Sequence, residues 1–161
     1  MIAQKYSDIQ QQVENLYDTS SPQAFLAICD AALGGRRGLN KQELMSAMMA
    51  GNKKLIHAIL SPLIDQLIEE NRAEALATSS QYQLKSIGDN EIRVKKTERD
   101  KYQRTTGDYI VNTQEKICNC PESVNRLEKL FIPCKHQFLV SMTTTASRFR
   151  SLSIKGNIQW H

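Results

Sequence analysis

Histidine is scarce, with three residues in a chain of 161, and tryptophan scarcer, with one. The chain has no HExxH run, no glycine-rich loop ending in Lys-Ser or Lys-Thr, and no nucleophile elbow. Zinc-protease, P-loop and α/β-hydrolase chemistries therefore lack their sequence signatures. Long apolar runs are missing too: the longest, Ala24 to Leu33, is interrupted by Asp30 and is too short to cross a bilayer. Met1-Ile2-Ala3-Gln4-Lys5 lacks the charged-then-apolar layout of a secretory signal, so a cytoplasmic location is expected, nucleoid or nuclear if the chain binds DNA. The apolar fraction of 40% is ordinary for a folded protein, enough for one medium domain or two small ones.

Cysteine is also sparse, at four residues, but three of them, Cys118, Cys120 and Cys134, fall in the 19-residue stretch that ends at His136. Such clustering reads as metal binding and not as a disulfide framework. Cys29 stands alone among apolar residues and is expected to be a small buried hydrophobe. The formal charge of +4 divides unevenly: residues 1–90 hold eight Lys or Arg against ten Asp or Glu, while residues 91–161 hold thirteen against seven. A basic partner surface is thus expected in the C-terminal half.

Ile2, Tyr6, Ile9, Val13 and Leu16 recur at helical spacing and predict an amphipathic helix over 1–20 that ends near Tyr17. Its stripe also fits two heptads of a dimer seam, though packing onto the next domain is favoured. Ser21 with Pro22 opens a second helix that stops at Gly34-Gly35, and Asn40 with Glu43 caps a third. A further helix is expected from Lys53 to about Asn71, broken or bent at Pro62. Ala73 to Ala77 and Gln81 to Lys85 then predict a β-hairpin. Helices followed by a hairpin over 21–88, with the run Leu63 to Arg72 leading into it, resemble a winged helix. That resemblance implies a helix beginning Lys53, Lys54 and His57 at a DNA major groove. Gly34-Gly35-Arg36-Arg37-Gly38 is a lesser phosphate candidate, and residues 89–106 read as a charged linker.

Asp108 to Thr113 predicts a strand, Gln114 to Lys116 a turn, and Ile117 to Cys120 a second strand. Residues two apart on an extended chain point the same way, so Cys118 and Cys120 present both sulfurs to one ion. After thirteen intervening residues, Cys134 precedes an apolar helix with His136 in its first turn. Together they complete a tetrahedral site of three sulfurs and one nitrogen, of the kind that holds one structural Zn2+. The order C-x-C, thirteen residues, C-x-H, with Pro133-Cys134-Lys135-His136 before the helix, resembles the SWIM-type zinc finger, here over 107–145. The resemblance implies that Cys118, Cys120, Cys134 and His136 are the zinc ligands and that the module binds DNA or protein without catalysing a reaction. The insertion Ser123 to Lys129 departs from the commoner form and has room for an extra helical turn.

The expected fold class is therefore α+β: an N-terminal helical, winged-helix-like domain followed by a small β-β-α zinc finger and a basic tail over 146–161. The expected function is zinc-dependent nucleic-acid binding in an accessory or regulatory role, DNA being favoured. The expected phosphate contacts are Lys95, Lys96, Arg99, Lys101 and Arg104 on the linker, Arg126, Lys129 and Lys135 on the finger, and Arg148 and Arg150 on the tail. Trp160 and Phe149 are candidates to stack on an unpaired base. The alternative is a protein-interaction adaptor or homodimer within a transposition, recombination or defence complex. Neither reading calls for an enzyme, a small-molecule substrate or a membrane.

Overall fold

The computed structural model of the chain describes residues 2–97 and 107–143, with side chains from Ile9 onward. In its broad class the fold is α+β as expected: helices first, then a small antiparallel sheet of four strands. The chain forms two compact units, one of residues 1–69 with 125–132, the other of residues 70–124 with 133–161.

The first unit contains α1 (Ile2–Thr19), α2 (Pro22–Leu33), α3 (Lys41–Met49) and the greater part of α4 (Lys53–Thr78). Capping residues set the starts of α2 and α3: Ser21 Oγ accepts from the Ala24 N–H at 3.1 Å, and Asn40 Oδ1 accepts from the Glu43 N–H at 3.1 Å. Gly38, at φ 87°, closes a 3-10 turn over Gly35–Arg37 in a backbone conformation that favours glycine. Ile9 and Val13 of the α1 stripe are buried within the chain, along with Phe25, Leu33, Leu44, Ile56 and Leu60. The Tyr17 ring meets Phe25 edge-on at 5.5 Å, and its hydroxyl donates to the Met48 carbonyl at 3.1 Å. Cys29 is fully buried, and burial pushes its thiol up to about 12, so it behaves as the inert hydrophobe expected.

Two expectations need correction. The helix from Lys53 does not stop near Asn71 or break at Pro62; α4 is continuous to Thr78 and takes in Ala73 to Ala77, where a strand was expected. Alanine is the strongest helix former and a weak strand former, and Ala75, four residues after buried Asn71, is itself fully buried. The hairpin instead pairs β1 (Tyr82–Ser86) with β2 (Glu91–Lys96), so this part of the expected linker is a strand. Ile92 and Val94 alternate with Arg93 and Lys95 at the strand period of two, which the density of charge concealed.

In the second unit, β1, β2, β3 (Asp108–Asn112) and β4 (Ile117–Cys118) form a meander in sequence order, every pair antiparallel. Residues directly opposite share a face. One face therefore carries Leu84, Val94 and Tyr109 in one row and Ile92, Val111 and Cys118 in the next. Val94, Val111 and Cys118 are buried. A helix over 135–143, α5, completes the described residues of this unit, and Leu139 and Val140 on it are buried. Among the described residues no helix is long and apolar enough to cross a membrane.

Replacing Asn40 with Ala leaves an N–H at the start of α3 without its side-chain acceptor. The expected cost is about 1 kcal/mol, read as a lowered urea midpoint; an unchanged midpoint would show that the cap contributes nothing.

Candidate metal centre

Each half of the cluster is set by local backbone chemistry. The Asn112 side chain accepts from the N–H groups of Gln114 and Glu115 at 3.0 and 2.8 Å, which folds the β3–β4 turn, and Lys116 then takes φ 59°. Beyond β4 the pairing is carried on by Asn119, between the two cysteines: its N–H donates to the Ile110 carbonyl at 3.2 Å and its Oδ1 accepts from the Ile110 N–H at 2.8 Å. The regular strand thus ends at Cys118, not at Cys120 as expected, and Cys120 opens a helical turn that is π-type over Ser123–Leu127. The Val124 N–H donates to the Cys120 carbonyl at 3.0 Å, and the Ser123 N–H reaches the Cys120 sulfur at 3.4 Å. The insertion does hold helical turns, the second a 3-10 turn over Glu128–Leu130. Residues 125–132 belong to the first unit, where Gln12 donates to the Lys129 carbonyl at 2.9 Å.

Cys134 caps α5. Its carbonyl accepts from the Phe138 N–H at 3.2 Å, and its own N–H donates to Gln137 Oε1 at 2.9 Å, the returning half of a capping box. Through its other end Gln137 donates to the Lys116 carbonyl at 2.7 Å, so one amide ties the turn before the C-x-C pair to the start of the C-x-H pair. Asn71 of α4, 6% exposed, donates to the Pro133 carbonyl at 2.9 Å. Glu74, one turn further along α4, pairs with Lys135 at 3.1 Å, and the Lys135 ammonium stands 5.9 Å from the centre of the Tyr82 ring.

The ligand atoms of Cys118, Cys120, Cys134 and His136 all lie within 4.8 Å of one another, and all four residues are buried. His136 turns Nδ1 towards the sulfurs of Cys118 and Cys134, at 3.7 and 3.8 Å. A tetrahedral ion bound about 2.3 Å from sulfur and about 2.0 Å from nitrogen needs donors roughly 3.5 to 3.8 Å apart, so the spacing fits. Nε2 of His136 is buried with no hydrogen-bond partner among the described residues, and the ring is flanked by Tyr109 at 4.9 Å and Tyr82 at 5.7 Å between centroids.

Electrostatics point the same way. Three neighbouring thiols cannot all ionise without a cation. Hydrogen bonds from Cys118 and Cys134 hold the Cys120 thiol far below its usual range. Cys118 is pushed up to about 12, first by its hydrogen bond to Cys120, and Cys134 is pushed well above the ordinary thiol range by Cys118 and Cys120. A bound divalent ion reverses this, since a coordinating thiol deprotonates outright. These four side chains could hold one metal ion, as expected; Asn71, Gln137, Asn119 and the two tyrosines were not anticipated. A polar residue three positions after a cap is the one signal that marks Gln137 in the sequence.

Those of the expected phosphate contacts that fall among the described residues are divided between the two units. Lys95 and Lys96 are consecutive on β2 and so face opposite sides of the sheet, Lys95 exposed and Lys96 half-buried beside Gly107. Arg126 and Lys129 are exposed in the first unit, and Lys135 is engaged by Glu74. Arg99, Lys101, Arg104, Arg148 and Arg150 lie outside the described residues, as do Phe149 and Trp160. At the start of α4, Lys53 pairs with Asp18 at 3.0 Å and His57 meets Glu14 at 3.1 Å.

Comparison with models of known protein families, with characterised protein sequences and with solved structures gives no match.

Replacing Gln137 with Ala removes both bonds that join the two ligand pairs. Metal affinity is expected to fall about 10-fold or more in a chelator competition titration; an unchanged affinity would make Gln137 incidental to the centre.

Proposed function

We propose that the chain is a zinc-dependent nucleic-acid-binding protein, accessory or regulatory in role, with DNA the favoured partner. The observation that carries the reading is the closed, buried set of three sulfurs and one imidazole nitrogen within the cationic half of the chain. Zinc suits it, being borderline-soft and free of directional d-electron preference. Bound there, the ion supplies a structural cross-link and folding free energy. Four protein donors leave no ligand position for water or substrate, which favours a binding module over a hydrolase.

The finer assignment is a SWIM-type finger. It is supported by the order C-x-C, thirteen residues, C-x-H, carried on strand, strand and helix. The winged-helix reading has weaker support. Within 21–88 the helices α2, α3 and α4 precede a hairpin, but at the start of α4 Lys53 pairs with Asp18 and His57 meets Glu14, which disfavours that helix as the DNA-reading element. Nucleic-acid contact is better sought among the cations of the second unit and the basic segments that flank 107–143.

One observation favours the adaptor reading for the first unit. Tyr17, Leu26, Met45, Met48 and Met49 line a pocket of about 400 Å³, and Met49 is 87% exposed. Methionine-lined surfaces of this kind adapt to varied apolar partners.

In fluorescence anisotropy over a salt series, the zinc-loaded chain is expected to bind DNA with an affinity that falls steeply as salt rises. Salt-insensitive binding, or none at low salt, would overturn the nucleic-acid reading in favour of the adaptor. Chelation is expected to abolish DNA binding and to open residues 107–143 to protease, because so small a region buries too little surface unaided. Unchanged protease resistance after the metal is stripped would remove zinc from the proposal.

A further inference from the structure

The face of the sheet opposite the metal cluster holds a group of cations that the linear charge pattern does not single out. Lys85 on β1 stands directly across from Arg93 on β2, and Lys95, two residues beyond Arg93, stands between Gln83 and Asp108. All five are exposed. Like charges directly opposed on neighbouring strands destabilise a sheet, so the Lys85–Arg93 pair is a cost that local folding does not require. Asp108 relieves it only in part. Both its oxygens are taken by the Arg93 guanidinium, at 2.8 and 2.6 Å, and the pair holds the Asp108 carboxyl below its usual range. Glu91, the other acid on this face, lies at the turn end of β2. The ammonium groups of Lys85 and Lys95 form no ion pair among the described residues.

We infer that this open sheet face is where the chain docks a nucleic-acid backbone, with Lys85 and Lys95 neutralising phosphates. The inference rests on the nucleic-acid reading above and gives it a surface. Neighbouring positions on one face of a sheet are about 5 to 7 Å apart, a spacing comparable to that of successive phosphates along one strand. The duplex form is favoured over single strands. The sheet's two tyrosines, Tyr82 and Tyr109, both pack against His136 on the other face, so among the described residues this one offers no aromatic ring for bases to stack on. Contact is therefore to the backbone, with little sequence preference.

The test uses the full zinc-loaded chain, a labelled 20-base-pair duplex and its single strand over a salt series, with Lys85→Ala, Lys95→Ala and the double variant. Each lysine lost is expected to lower the slope of log affinity against log salt by about one unit, with metal content and far-UV spectrum unchanged. A double variant that keeps the wild-type slope would overturn this surface while the nucleic-acid reading stood. Preference for the single strand would overturn the duplex assignment. A wild-type chain that binds neither would overturn the reading itself, and this inference with it.

Discussion

Three sulfurs and an imidazole nitrogen buried within 4.8 Å of one another form a set that cannot hold its own charge. With no cation present, hydrogen bonding among the thiols favours one thiolate, on Cys120, and raises the cost of ionising Cys118 and Cys134. A divalent ion would remove that conflict, and it would also close a long loop by joining the end of β4 to the start of α5. Much of the second unit is arranged around this constraint. Tyr82 and Tyr109 wall the imidazole, and Val111 stands directly across from Cys118.

The ligands are also held from outside. Asn119 locks the C-x-C pair to β3, Gln137 links the turn before it to the α5 cap, and Asn71 and Glu74 hold the C-x-H segment to α4. Each is a polar side chain bonded to a backbone group or an opposite charge, so each resists displacement of a ligand that the metal alone would leave free to swing. α4 matters here because of its length. Its final turns, which bear Asn71, Glu74 and Ala75, belong to the second unit, so a helix that stopped near Asn71 would leave Lys135 and the cluster without that support.

What the sequence revealed is what local chemistry determines. The Ser21 and Asn40 caps, the close grouping of Cys118, Cys120, Cys134 and His136, and the helical turns of the insertion each follow from a few neighbouring residues, and each is present. The misreadings arose where two local signals competed. Ala73 to Ala77 follows a long apolar helix and could extend it or start a strand; alanine's preference for helix and the burial of Ala75 decide for extension. Glu91 to Lys96 carries both a charge pattern typical of linkers and an alternation typical of strands, and the alternation wins because Val94 is fully buried. The supports of the cluster were illegible for another reason: Asn71 and Pro133 are 62 positions apart, and no local pattern marks such a partnership.

Strand geometry also changes how the charge of the C-terminal half must be read. Counted along the chain, Lys95 and Lys96 are a basic pair and Lys85 belongs to the acidic half. Folded, Lys95 joins Lys85 and Arg93 on one face while Lys96 turns to the other, so the patch is assembled across strands and not along the chain. Its cations are remote in sequence from the Cys and His cluster, yet one sheet joins the two. Arg93 is oriented by Asp108 of β3, β3 is paired to β4, and β4 ends at Cys118. A metal bound there would brace β4, and through β3 the Asp108 carboxylate that orients Arg93, without itself touching the patch.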